Sequence, residues 1–154
     1  MAKEGVGLTG RVHMVLRDVD GNIREERYGP NLVVTDGKEE VARLIGAVSG
    51  DAFTHIAIGI GTAAPAAGDT TLGSEVASGG GSRTTCTKDV LTNSVTNDTA
   101  RFVTTYNFTA TFAVTESGVF NSSSTGDLLC RQTFSALNVG SGDSLTVTWQ
   151  VRVG

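Results

Sequence analysis

The side chains able to do chemistry in this 154-residue chain are few, and their spacing does not converge on a reaction. There are two histidines, His13 and His55. A lone histidine in an extended stretch reads as a hydrogen-bonded structural residue, and nothing near His55 completes a metal site. The run Asp18-Val19-Asp20-Gly21-Asn22 has the alternating oxygen ligands of a calcium loop. Its glycine falls at the fourth position instead of the sixth, and the distal glutamate is missing, so calcium is not expected. Gly59-Ile60-Gly61-Thr62-Ala63-Ala64 satisfies the dinucleotide pattern G-x-G-x-x-A after a candidate strand. That pattern works only where a helix opens at its end and holds the pyrophosphate, and here Pro65-Ala66-Ala67-Gly68-Asp69 follows. Cys86 and Cys130 read as small apolar fillers within strands, with nothing in the sequence to support a bridge. Glu116 is the one carboxylate whose placement, beside a long strand, looks deliberate, and bonding to turn amides is the stronger reading of it. Ser-x-x-Lys, G-x-S-x-G, H-E-x-x-H and paired-cysteine signatures are missing, so neither an enzyme, a cofactor, a metal site nor a small-molecule substrate is expected. Sequons at Asn97, Asn107 and Asn121 carry no weight without a signal peptide.

The elements that would position these groups are strands. From 102 to 114 the even positions carry Phe102, Tyr106, Phe108, Ala110, Phe112 and Val114, with Thr104 the only polar member, and the odd positions are mostly small or polar. Period two puts one aromatic face and one wetter face on a single long strand. Leu145, Val147, Trp149, Val151 and Val153 repeat the pattern near the C-terminus. Such faces need each other or a second sheet to cover them. A chain of this length is one domain able to bury about 70% of its unfolded surface. Its net charge of −4 argues against nucleic acid as a partner. No apolar signal core opens it and no stretch reaches about 18 consecutive apolar residues, so synthesis in the cytoplasm and no membrane span are expected.

Taken in order, residues 1–9 are Gly-rich and read as a flexible arm, with 10–154 as a single β domain. Strands over 11–17 and 23–28 flank the Asp20-Gly21 hairpin signal, and Pro30 opens a short strand to Val34. One helix follows, capped by the Asp36/Glu39 box and stopped at Gly50. Its stripe of Val41, Leu44, Ile45 and Val48 should lie against a sheet. Residues 54–60 alternate again, and 62–82 form a long loop whose Gly79-Gly80-Gly81-Ser82 run is expected to be mobile. Strands over 83–91 and 127–134, a turn at 115–118, a short strand at Val119 and Phe120 and a last turn at 138–143 complete the reading. Short strands separated by Gly/Ser/Asn/Asp clusters indicate an all-β sandwich or barrel with one short helix.

Two groups of segments resemble a pattern common in structural proteins of tailed bacteriophages. The first runs from Phe53-Thr54-His55-Ile56 through Gly59-Ile60-Gly61-Thr62 to Leu72-Gly73-Ser74-Glu75-Val76. The second comprises Glu116-Ser117-Gly118-Val119-Phe120, the strand over 128–134 and the Thr/Val-rich stretch 144–153. Together they cover a little over half of the chain. The resemblance implies a non-enzymatic virion protein, made in the host cytoplasm and carried in the particle. Foremost among its readings is a capsid decoration (cement) protein of β-sandwich, jelly-roll or β-tulip form. Such a protein would be a homotrimer whose partners are the major capsid protein and copies of itself. The arm residues Lys3, Val6 and Leu8 and the loop residues Pro65, Leu72, Glu75 and Val76 are its candidate interface. A tail, collar, baseplate or fibre-attachment component, with tail proteins as partners, is the alternative. A host carbohydrate-binding module is a third; such a site wants exposed aromatics beside polar groups, and Trp149, the single tryptophan, lies on the apolar side of a core strand, which counts against it.

Overall fold

Alternation of apolar and polar residues builds the strands, and a computed structural model that describes residues 5 and 7–154 shows how they pair. In chain order they are β1 (Leu8–Arg17), β2 (Ile23–Val33), β3 (His55–Gly59), β4 (Thr84–Thr85), β5 (Thr87–Leu91), β6 (Thr99–Asn107), β7 (Phe112–Phe120), β8 (Leu128–Val139) and β9 (Ser144–Val153). One helix, α1 (Thr35–Ile45), joins β2 to β3. The strands form one nine-stranded sheet in the order β4-β3-β7-β8-β2-β1-β9-β6-β5. Every pairing is antiparallel. The protein is therefore all-β with one short helix.

The sheet doubles back on itself at β2. Most of β2 pairs with β1, but Leu32 and Val33 pair with Arg131 and Cys130 of β8. Two halves result, β2-β1-β9-β6-β5 and β4-β3-β7-β8, with the core between them. Val12, Met14 and Leu16 of β1 and Leu145, Val147 and Trp149 of β9 are buried against Ile56, Ile58, Val114 and Val119 of β3 and β7. Each fully buried side chain of this size contributes about 1.5–3 kcal/mol relative to leaving it in water. Polar atoms that enter the core are satisfied across it. The Tyr106 hydroxyl donates to the Ile56 carbonyl at 2.6 Å, and Trp149 Nε1 donates to Ser117 Oγ at 3.1 Å.

Several boundaries differ from the expectation, each for a physical reason. The stretch 102–114 is not one strand. β6 ends at Asn107, β7 starts at Phe112, and the chain crosses between the halves through residues 108–111. Phe108 stays buried and Val114 stays buried because both halves face the same core, so the alternation survives the crossing. The expected turn at 115–118 lies within β7, where Glu116 and Ser117 are fully buried polar residues with internal partners. The short strand from Pro30 is continuous with β2, and the strand over 83–91 is divided at Cys86, whose amide donates to the Thr54 carbonyl at 2.9 Å. Leu8 and Thr9, placed in the arm from sequence, belong to β1 and pair with Val153 and Arg152.

The helix departs furthest from its sequence pattern. No side chain caps it, and Asp36 Oδ2 instead accepts the Leu128 amide at 2.9 Å. The buried positions are Gly37 and Glu40. A β-carbon on Gly37 would collide with the Leu129 backbone, so helix and strand approach at backbone distance. The Glu40 carboxylate then accepts the Asp51 amide and the Arg43 guanidinium. The helix ends at Ile45, short of Gly50, so Val48 lies beyond it. Of the expected stripe Val41 packs against the core, while docking through Gly37 leaves Leu44 38% and Ile45 84% exposed.

Candidate interaction surface

Two regions hold the residues that the sequence singles out, and their chemistry differs. The first is the long connection after β3. Glu116, fully buried on β7, directs its carboxylate into this loop. Oε1 accepts the amides of Gly61 at 2.9 Å and Ser74 at 2.7 Å, and Oε2 accepts the Gly73 amide at 2.9 Å. Arg131 of β8 donates to Oε2 through Nε at 3.0 Å and NH2 at 2.8 Å. The same guanidinium reaches Asp69 Oδ2 at 2.8 Å and the Ala63 carbonyl at 2.9 Å. A β-carbon on Gly59 or Gly61 would strike the Glu116 carboxylate, which is why glycines stand there. Burial alone would push the Glu116 carboxyl up, but the Gly73 and Ser74 amides and Arg131 outweigh it and hold it below its usual value. Asp69 follows the same balance, with the Ala66 amide and Arg131 prevailing over burial.

The rest of the loop is closed in the same way. Ile60 donates to the Ser74 carbonyl at 2.8 Å and Val76 to the Ile58 carbonyl at 2.9 Å, so Glu75 bridges Gly59 as an added strand residue. Arg83 binds Glu75 through two bonds of 2.9 and 2.7 Å, and its guanidinium carbon lies 3.5 Å from the Phe120 ring centroid. Gly79 and Gly80 take positive φ values of 60° and 84°, and the Gly79 carbonyl accepts the Thr109 amide at 2.9 Å. Gly80 lies against the Asn107 carbonyl, leaving no room for a side chain. The glycine run expected to be mobile is thus a fixed corner packed on the β6–β7 crossing.

This places the candidate interface residues. Leu72 is 6% and Val76 5% exposed, both within the chain's own core, and Glu75 is paired to Arg83. Pro65 is half-buried on the loop, Leu8 lies in β1, and Lys3 and Val6 fall outside the described residues. The structure brings Glu75, Leu72 and Val76 together as a closure of the domain. Arg131 and Asp69 were not recognised from sequence. The available signal was Arg131 itself, a single cation inside the otherwise uncharged stretch 128–134.

The second region is the open end of the core beside α1. A groove of about 460 Å³ is lined by Leu8, Leu44, Phe53, Phe102, Val90 and Val153, among others. These residues belong to β1, β5, β6, β9 and α1 and, at Phe53, to the connection before β3, so the core reaches solvent here. Val90 is 55%, Val153 51% and Leu44 38% exposed, so three aliphatic side chains of the lining face solvent together. Lys88 and the Asp89–Arg101 ion pair stand among its lining residues. A cluster of this kind at the mouth of a core marks a site of association.

The remaining candidates have local partners. His55 Nδ1 lies 2.8 Å from Thr54 Oγ1, and burial, then Arg83 and Lys88, depress its pKa. Asp18 Oδ1 accepts the amides of Asp20 and Asn22 at 3.0 and 2.9 Å, forming the turn that was weighed as a calcium loop. Cys86 and Cys130 are free and buried, and burial raises both thiol pKa values. Among the described residues no cluster of three or more His, Cys, Asp or Glu could hold a metal, and no helix is long and apolar enough to cross a membrane. Trp149 is fully buried and cannot stack on a sugar. Comparison with protein-family models, curated proteins and solved structures returned no match.

Proposed function

We propose that this chain is a structural protein of a bacteriophage particle, and specifically a capsid decoration protein that associates with itself and with the assembled shell. The observation that carries the reading is the open mouth of the core, where Leu44, Val90 and Val153 of the groove lining face solvent, with Ile45 exposed on the same helix. Leaving such side chains in water forgoes about 1.5–3 kcal/mol for each large aliphatic group, a gain recovered when a neighbouring subunit covers them. The resemblance of residues 53–76, 116–120, 128–134 and 144–153 to phage structural proteins supports the same reading. The mechanism is linkage: a subunit that binds only the assembled lattice stabilises it by mass action. Because Leu72, Glu75 and Val76 close the domain, the role first given to the loop passes to the α1 groove. A tail or collar component is the second reading. It is favoured by β5, an edge strand exposed over residues 87–90, whose free backbone groups could extend a neighbour's sheet.

The test is the copy number of the chain in purified particles, together with rebinding of the purified protein to particles that lack it. Near one copy per shell subunit, with rebinding abolished by Ile45→Asp, supports decoration. A handful of copies per particle supports the tail reading. Detection in no particle overturns both.

A further inference from the structure

The outer face of the sheet carries a second concavity of different chemistry. A trough of about 560 Å³ crosses β1 and β9, floored by Arg11, Gln150 and Arg152. Strand register puts these side chains in adjacent rows, with Arg11 opposite Gln150 and Thr9 opposite Arg152. The wall on one side is β2 at Tyr28, whose ring is 64% exposed. The Arg11 guanidinium lies 5.7 Å from the Tyr28 ring centroid and donates to its hydroxyl, which fixes the ring as an upright face.

The opposite wall is the turn after β5, contributing Asn93. It is preformed: the Asp98 carboxylate accepts the amides of Asn93, Ser94 and Val95 at 2.9, 2.9 and 3.0 Å. Asp98 also lies 3.6 Å from Arg152 Nε, an atom with no hydrogen-bond partner among the described residues. Arg11 makes no ion pair among the described residues, and no carboxylate lines the trough, although the chain as a whole carries −4. The volume lies within the range of about 300–1,000 Å³ typical of small-ligand sites.

We propose that this trough binds a hexuronic acid unit of an acidic polysaccharide. The C–H face of the sugar ring packs on Tyr28, a rigid amphipathic platform. The carboxylate meets the planar guanidinium of Arg11, whose donor fork matches it. The amides of Gln150 and Asn93 supply donors and acceptors for the ring hydroxyls. A free phosphate would use the guanidinium but not the aromatic wall, and a nucleic acid would need a wider basic surface. The site lies on the opposite face of the sheet from the core-facing groove and does not depend on the virion reading.

The experiment is a titration of the full chain, followed by amide NMR, with a galacturonic acid trisaccharide, its uncharged galactose counterpart and inorganic phosphate. The acidic trisaccharide is expected to shift the amides around Arg11, Tyr28 and Gln150 saturably and to bind at least about tenfold more tightly than the neutral one. Arg11→Gln and Tyr28→Ala should each weaken it about tenfold, a difference of about 1.4 kcal/mol, with the melting temperature unchanged. Equal affinity for the neutral sugar, displacement by equimolar phosphate, retention of affinity in Tyr28→Ala, or no binding would each overturn the proposal.

Discussion

The connection over residues 60–83 and the groove beside α1 make opposite use of their sequences. The connection is glycine-rich, weakly apolar and long, and by composition it belongs on the surface. Its amides converge on a fully buried glutamate, the Ala63 carbonyl and the Asp69 carboxylate on a buried arginine, and Leu72 and Val76 enter the core. The helix has a regular apolar stripe, and by composition that stripe belongs inside. Docking through Gly37 keeps Val41 on the core but turns Leu44 and Ile45 to solvent. Burial here is decided by where a backbone can approach closely, and hydrophobicity alone assigns both regions to the wrong side.

The contrast can be broken most severely under the closed loop. Phe108 is 2% exposed beside the corner formed by Gly79 and Gly80. Phe108→Asp is expected to abolish folding, because a desolvated charge without a partner costs several kcal/mol. Thr109→Asp, at an exposed neighbour, should leave the far-ultraviolet circular dichroism and melting curve intact. Next comes the ionic centre. Glu116→Ala strands Arg131 and the loop amides and should lower stability by about 3–5 kcal/mol in chemical denaturation. Adding Arg131→Met to Glu116→Gln should recover part of that loss, since the buried guanidinium is then gone and only the more exposed Asp69 is left without its partner. A double variant no more stable than Glu116→Ala would show that the amides, and not the ion pair, hold the loop.

Acid should open the same region. The folded-state carboxyls of Glu116 and Asp69 lie below their unfolded values of about 4.3 and 3.9. Their contribution is therefore complete above those values and is lost as pH falls through the depressed folded ones. Denaturation midpoints measured between pH 6 and acid conditions should fall below about pH 4, and less steeply in Glu116→Gln. An identical slope would assign the acid sensitivity elsewhere, Asp98 being the next carboxyl held low, by the Val95 amide first.

The smallest effect on stability belongs to the open region. Ile45→Asp, at a side chain 84% exposed, should change stability by no more than about 0.5 kcal/mol while abolishing self-association in sedimentation measurements. A large loss of stability there would mean that the stripe already supports the monomer.

The strands were legible because period-two alternation is a local signal, and 144–153 appears as β9 without change. The inward parity of Phe102, Tyr106, Phe108 and Val114 was legible too. The break between β6 and β7 was not, since residues on both sides of it face one core and the pattern never lapses. Glu116 stood out as a carboxylate bonding amides, but those amides lie 42 to 55 residues away, beyond any local reading. The exposure of Leu44 and Ile45 was illegible for a similar reason. It follows from a glycine meeting Leu129 on a strand formed much later in the chain.

The position of β9 has a consequence for how the molecule is made. It lies between β1 and β6, pairing Leu8 with Val153 on one side and Asn107 with Ser144 on the other. Until residues 144–153 leave the ribosome, the hairpins β1–β2 and β5–β6 have no strand to join them, and their apolar faces stay wet. Closing so distant a pair carries a large entropy cost before any contact repays it, which makes folding slow. The nascent chain must therefore be kept from sticking to its neighbours until synthesis of that last strand is complete.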